Sequence, residues 1–330
     1  MAGQGAISRV ASPSVALTLT VDRAAWDRHV DTTLAAHPGV LPVVKGNGYG
    51  FGRPRAIAAL RARGITSVAV GTVFEVPDGF ETFVLTPAVG SDASLLPADA
   101  IPTVGSLEHV GALVAAGWSG RVLVKLASSM RRYGATPDGL PTLLDAVRAA
   151  GFAVDAYSLH LPLAPSAANL VEALAWLPHL GGAPSAALHV SHLDAEDDAT
   201  LRVAAGGRIV RQRVGTRLWL GDRTTIHLSA DVLDVRAVRA GEPVGYRATP
   251  NPHDGTLVMI GAGTAHGVFP LPDGRSPFHF ARRRLVLVEP PHMHTSIVVV
   301  PHGENAPDVG AEVDVQRPLT QTYVDRVVDR

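Results

Sequence analysis

The sequence predicts an α/β fold in which an N-terminal (β/α)8 barrel is followed by a smaller C-terminal antiparallel β domain. Three observations predict it. From residue 24 to about 220, short β-branched runs alternate with Ala- and Leu-rich helical stretches, the pattern of repeated βα units around a parallel sheet. Eight strand candidates occur in that region, the number that closes a TIM-type barrel. After residue 222 the helical windows stop, and valine, leucine and isoleucine alternate with polar residues between Gly, Pro and His-Asp-Gly corners.

The strand candidates are LPVVK (41–45), SVAVG (67–71), TFVLT (82–86), IPTV (101–104), RVLVKL (121–126), VDAYSLH (154–160), AALHVS (186–191) and a last one within RIVRQRVG (208–215). Helices are expected at 24–36, 54–63, 106–116, 138–150, 166–178 and 196–205. A doubly wound open sheet is the competing architecture. The expected domains are a leading segment 1–23, whose strand ALTLTVD (16–22) packs on the C-terminal domain, the barrel at 24–222, and the β domain at 223–330.

Composition narrows the function classes. The chain has 330 residues, 46% of them hydrophobic and 18% charged, enough to bury a large core. With 29 basic against 30 acidic side chains it lacks the positive excess that nucleic acid or an anionic membrane rewards. It has no cysteine, which removes disulfides, thiolate zinc sites and a cysteine nucleophile together, and no metal site is expected. No stretch has signal-peptide or membrane-spanning character, so a cytoplasmic protein is expected.

Functional groups of a barrel gather at the C-terminal ends of its strands. Those ends carry Lys45, Lys125, His160, His192 and Arg213. Each also has an ordinary reading: a strand-end lysine snorkels to water, and a histidine near a core is hydrogen-bonded there. Lys45 stands apart because it ends an apolar run in PVVKGNGYGFG (42–52), followed at once by glycines and Tyr49. An amine at that place can form a Schiff base with an aldehyde, while a hydroxyl and glycine N–H groups bind a phosphate. Pyridoxal phosphate supplies both groups. A nucleotide P-loop fits less well, since there the lysine follows the glycines.

VVKGNGYGFG resembles the pyridoxal-phosphate motif of the alanine racemase family, and the resemblance continues in chain order. VLVKLASSMRRYG (122–134) looks like the family's lysine-ended strand with its Met-x-Arg-x-Gly turn, and DAYSLHL (155–161) like its Thr-His-Phe strand end. RVGTRLWLG (213–221) is similar to the Arg-x-Gly segment that closes the barrel, and residues 235–267 to the opening of the β domain. The resemblance implies a fold-type III pyridoxal-phosphate enzyme, a homodimer with shared active sites acting on a small amino acid. It also implies roles. Lys45 would be the Schiff-base lysine and one catalytic base. Tyr49, Gly215, Thr216 and Tyr323 would bind the phosphate, Arg213 would face the pyridine nitrogen, and His160 would neighbour the ring. Arg132 would bind the substrate carboxylate, steadied by Lys125, a residue carbamylated in many members. Met293 would lie near the substrate.

The sequence also departs from the family pattern. Where the family has Gly-Tyr-Ala-Asp-Gly, with the tyrosine as second base, this chain reads GTAHG (263–267). Thr264 replaces the phenol with a hydroxyl of far higher pKa. An imidazole can exchange protons near neutrality, and strand alternation would set His266 on the same face as Thr264, so it is the nearby replacement base from this segment; equally, it reads as a turn histidine in place of the family's aspartate. In LHVSHLD (188–194), Leu193 or His192 stands where the family has a phosphate-binding serine, and Ala127 replaces an aspartate after Lys125. RPLTQTYVDRVVDR (317–330) either supplies Tyr323 as a phosphate ligand or matches an upstream helix that leaves that tyrosine out. Three functions follow: a racemase or epimerase using Lys45 with His266 or a water, another Cα reaction such as decarboxylation or lyase chemistry, and a non-catalytic cofactor-binding relative.

Overall fold

The computed structural model describes residues 17–163 and 167–330. The expected strand and helix residues at 16 and 166, and the rest of the leading segment before residue 17, lie outside the described residues. By contacts the described residues form two compact units, one within Ala24–Asp222 and a second made of residues 17–23 with Arg223–Arg330.

The first unit is the barrel. Its strands are β2 (Leu41–Pro42), β3 (Ser67–Val70), β4 (Glu81–Val84), β5 (Ala100–Val104), β6 (Arg121–Leu126), β7 (Ala153–Leu159), β8 (Ala187–Val190) and β9 (Val210–Val214), numbered after β1 (Leu17–Val21) of the other unit. They pair in parallel in the order β2-β9-β8-β7-β6-β5-β4-β3, and a parallel bridge from Val43 to Ala69 joins β2 to β3 and closes the ring. The open-sheet alternative is therefore set aside. LPVVK pairs regularly only over its first two residues, because its later part already bends into the mouth.

Helices α1 (Arg23–Ala35), α2 (Arg53–Arg61), α3 (Leu107–Ala115), α4 (Leu140–Ala149), α5 (Ala167–Trp176), α6 (Ala195–Ala204) and α7 (Thr216–Leu220) follow strands around the ring. Local chemistry explains their ends. Asp194 caps α6 by accepting the Asp197 N–H at 2.8 Å, with three acidic residues in the first turn. Pro54 and Pro141 sit in the first turns of α2 and α4, where an N–H is not missed. In α4, Leu140, Leu143, Leu144 and Val147 repeat at helical spacing and are buried against the sheet. Leu41, Val43, Ala69, Phe83, Ile101, Leu123 and Ala156 fill the barrel interior.

The second unit is built on the long β10 (Ile226–Val238), which lies between β18 (Glu312–Val315) and β13 (Gly255–Ile260), with β17 (Ser296–Pro301) on the far side of β13; β11 (Pro243–Val244), β12 (Thr249–Pro250), β14 (Phe278–Phe280), β15 (Arg283–Arg284) and β16 (Val286–Leu287) are short strands of two or three residues. β1 runs antiparallel to β10 from Leu17↔Ala230 to Val21↔Ile226 and parallel to the last strand, β19 (Arg326–Asp329). Among the described residues, no helix is long and apolar enough to cross a membrane.

Candidate active site

The barrel unit holds a cavity of about 320 Å³ lined by strand ends. It brings together Lys45, Tyr49, Lys125, Arg132, His160 and Arg213, and also Gly215 and Thr216. Lys45 and Lys125 are the only lysines of the chain, every other basic residue besides histidine being arginine. That both face one cavity is hard to ascribe to surface solvation, where lysines ordinarily serve.

The floor under Lys45 is fixed by indoles. Trp219 Nε1 donates to the Val43 carbonyl at 2.8 Å, and Trp26 Nε1 to the Trp219 carbonyl at 3.3 Å, with the two rings stacked at 5.9 Å. This ties the end of β2 to α7 just before the lysine. Lys45 itself is open to solvent at the mouth. Its ammonium is nevertheless destabilised, first by the low-dielectric surroundings of the mouth and then by Arg213 and Arg132, with Glu75 opposing. Tyr49 is 4% exposed and sits at φ 60 in the left-handed region. Its hydroxyl lies over Gly215, where an added Cβ would come within 2.1 Å of the phenolic oxygen, so only glycine leaves room. Burial and Glu75 push the Tyr49 pKa up, which keeps the phenol a hydrogen-bond donor.

Lys125 is 6% exposed and donates from Nζ to the carbonyls of Leu126 at 3.0 Å and Ser158 at 3.2 Å. Burial, then Arg213 and Arg132, lower its pKa to about 7, so much of it is a free amine near neutrality. Arg213 is buried, donates to the Leu159 carbonyl at 3.2 Å and to His160 Nδ1 at 3.2 Å, and keeps a buried Nε without a partner. Burial lowers it to about 10, still protonated at neutral pH. Because a guanidinium only donates, His160 Nδ1 is an acceptor and its ring proton is on Nε2. Ser191 supports that tautomer: its Oγ receives the Leu161 N–H at 3.3 Å and gives its proton to His160 Nδ1 at 2.7 Å. Burial, Arg213 and the neighbouring histidine and lysines push His160 down to about 3.

Two lining groups were not singled out from sequence as site residues. Ser191 is one. Tyr133 is another, its hydroxyl donating to the Leu85 carbonyl at 2.8 Å and its ring lying 5.4 Å from the Arg132 guanidinium carbon. His192, expected at a strand end and as one of two candidates with Leu193 for the serine's place, lines the cavity, whereas Leu193 is 3% exposed and packs into the core. His192 adopts φ 61, its ring is 5.2 Å from that of His160, and burial and Arg213 lower its pKa. A histidine in the left-handed region is uncommon, and this one also lines the cavity.

Thr264, His266, Met293 and Tyr323 belong to the other unit. Residues 264–266 form a single 3-10 turn, not the expected strand, because Gly263 lies against the His292 and Met293 carbonyls and Gly267 closes the turn at φ 75. Both His266 nitrogens are engaged: Nδ1 accepts the Gly263 N–H at 3.1 Å and Nε2 lies 3.2 Å from Asp325. The expectation that His266 replaces the missing base meets this obstacle directly, since no ring nitrogen is left for a reacting proton. Met293 and Tyr323 are 66% and 64% exposed. The segment after Leu319 makes one 3-10 turn and the strand β19, so no helix lies there.

Fold and cavity define a (β/α)8 barrel protein with a strand-end lysine in a cationic mouth and an appended β unit. The sequence model described as "Alanine racemase, N-terminal domain" matches residues 21–191, and the chain belongs to the alanine racemase family. The alanine racemase of Mycolicibacterium vanbaalenii is 31% identical over 289 residues, 78% of this chain and 74% of that one. The alanine racemase of Mycobacterium tuberculosis is 30% identical over 273 residues, 73% and 70% of the two chains. In fold the chain is similar to the solved alanine racemase of Bartonella henselae, which carries covalently bound pyridoxal phosphate: TM-score 0.73 at 20% identity, over 96% of this chain and 100% of that one.

Proposed function

We propose that this protein is a pyridoxal-phosphate-dependent amino-acid racemase or epimerase, with Lys45 as the cofactor's covalent anchor and one catalytic base. The observation that carries the reading is the cavity: both lysines and two arginines converge there, and none of the residues lining it is acidic. The residues present fit the cofactor. The space over Gly215 that a Cβ would fill holds the Tyr49 hydroxyl, a donor for a phosphate, and the unpartnered Arg213 Nε marks an unmet donor for a ring acceptor. When bound, pyridoxal phosphate withdraws electrons from the substrate and acidifies its Cα–H bond.

Each side chain then has a task. Lys45 Nζ takes the Cα proton on its side, its lowered pKa making the free amine accessible. Arg213, protonated and oriented by His160, donates toward the cofactor ring nitrogen and keeps it unprotonated. Tyr49, Gly215 and Thr216 hold the phosphate, and His192 joins them in place of the core-facing Leu193. Arg132 binds the substrate carboxylate, propped by the Tyr133 ring, with Lys125 as its neighbour and a carbamate on Lys125 as a further modification of the same site. With both His266 nitrogens engaged, a water supplies the proton on the opposite face. We also infer a cytoplasmic homodimer, to which the exposed Met293 and Tyr323 are available as contacts.

The test begins with colour. Purified protein mixed with pyridoxal phosphate gains a visible band that resists dialysis, and Lys45→Ala loses both band and turnover; a wild-type chain that stays colourless overturns the proposal. Single L- and D-amino acids are then incubated in deuterated water. Deuterium at Cα with inversion supports racemisation, exchange with full retention shows one-base chemistry, and carbon dioxide release shows decarboxylation.

A further inference from the structure

Glu75 ends the 3-10 turn Val73–Glu75 that follows β3. Its Oε2 receives the N–H groups of Gly71 at 2.7 Å and Thr72 at 3.3 Å, as a carboxylate at a helical start commonly does. Its Oε1 does something else. It turns to a different loop and receives the N–H of Gly46 at 2.7 Å, the residue directly after Lys45. One side chain thus fastens the lysine's turn to the neighbouring strand end, across 29 positions of sequence. Gly71 makes the slot: a Cβ there would lie 2.8 Å from Glu75 Oε2 and 3.4 Å from Lys45 Cβ. The Glu75 side chain is 10% exposed, and Arg53 stands 3.9 Å away on the outer side.

We propose that Glu75 is a positioning residue for Lys45, clamping the turn that aims the amine and supplying the negative charge that the cavity lining lacks. The proposal rests on the role given to Lys45 above. The charged and titratable groups around Lys45 come from four elements: Arg213 from β9, Arg132 from the loop after β6, and His160 and His192 from the ends of β7 and β8. Lys125 adds a further amine at the end of β6. All are cationic or neutral. Glu75 is the carboxylate set against them, and its field favours the ammonium that Lys45 must form each time it takes a proton. A carboxylate that served only its own turn would have no reason to reach Gly46.

The chain permits a direct test because it has only two lysines. Reductive methylation of the full chain with 13C-formaldehyde, before cofactor is added, yields one side-chain signal for Lys45 and one for Lys125, each titrating in its own environment. In Glu75→Gln the Lys45 midpoint falls by about one pH unit, a roughly tenfold loss of ammonium at fixed pH, while Lys125 stays within a few tenths of a unit. Arg53→Gln, at a half-exposed position, moves Lys45 slightly the other way. The limb of the turnover pH profile that reports Lys45 shifts with it. An unmoved Lys45 midpoint in Glu75→Gln, or equal movement of both lysines, overturns the proposal. If Glu75→Gln does not fold, an unmoved midpoint in Arg53→Gln does the same. Since the titration uses no cofactor, failure of the wild type to bind pyridoxal phosphate counts against the proposed function alone.

Discussion

The barrel mouth and the turn at 264–266 use the same kinds of side chain in opposite electrostatic settings. At the mouth, Lys45, Lys125, His160, His192 and Arg213 press on one another, and each has its charged form disfavoured by burial and by neighbouring cations. In the β unit, histidines are matched with carboxylates: His266 with Asp325, and His292 with the buried Glu289, which also accepts the Tyr246 and Arg247 N–H groups. A group whose neighbours oppose its charge is ready to exchange a proton. One paired with a counter-charge is occupied in holding the chain.

The sharpest way to break this contrast is at His192, which like Tyr49 holds a left-handed backbone at the mouth. His192→Gly removes the imidazole without straining φ 61. Affinity for pyridoxal phosphate should fall by roughly tenfold to a hundredfold, the scale of a charge-assisted hydrogen bond, and affinity for pyridoxal, which lacks the phosphate, should change little. His192→Asn, whose amide tolerates the same conformation, recovers part of the loss. Equal weakening toward both ligands would show that His192 shapes the cavity and does not touch the phosphate.

A second comparison tests the β unit. His266→Ala leaves the Gly263 N–H without its acceptor, while Asp325 keeps only the Leu17 N–H, and should cost about 1–3 kcal/mol of stability by denaturant unfolding. His266→Gln carries one acceptor and one donor and should recover most of it. Turnover per folded molecule stays within about threefold in both variants if His266 is structural, whereas a lost general acid or base costs about a hundredfold or more.

The fold was legible because period and count are local properties. Eight apolar runs and the helices between them follow from side-chain spacing, and Lys45, Lys125, His160 and Arg213 stand where strands end. What escaped was nonlocal. Glu75 matters through a loop 29 residues before it, Ser191 through a histidine 31 residues before it, and neither partnership leaves a mark in the nearby sequence. Alternation failed at Thr264–His266 because packing of Gly263 against two carbonyls, and not the pattern of residue types, decides the backbone there. Leu193 and His192 were inseparable by spacing; burial of the leucine and the left-handed turn of the histidine separate them.

The last prediction, spread over several pH units, concerns the resting cost of the mouth itself. For His160 the folded pKa of about 3 lies below the ordinary histidine value of 6.5, so between those pH values the unfolded chain binds more protons than the folded one. Stability of the cofactor-free protein should therefore fall as pH drops through that window, with a slope of about 1.4 kcal/mol per pH unit from this group at most. Lys125 acts in a second window, from its folded value of about 7 up to 10.5: there too the unfolded chain holds the extra proton, so stability gains as pH rises. Denaturant melts of wild type, His160→Gln and Lys125→Met across both ranges separate the two contributions. Each variant should flatten the curve only in its own window; a wild-type curve already flat in both would mean that the cations at the mouth do not oppose one another as the cavity geometry requires.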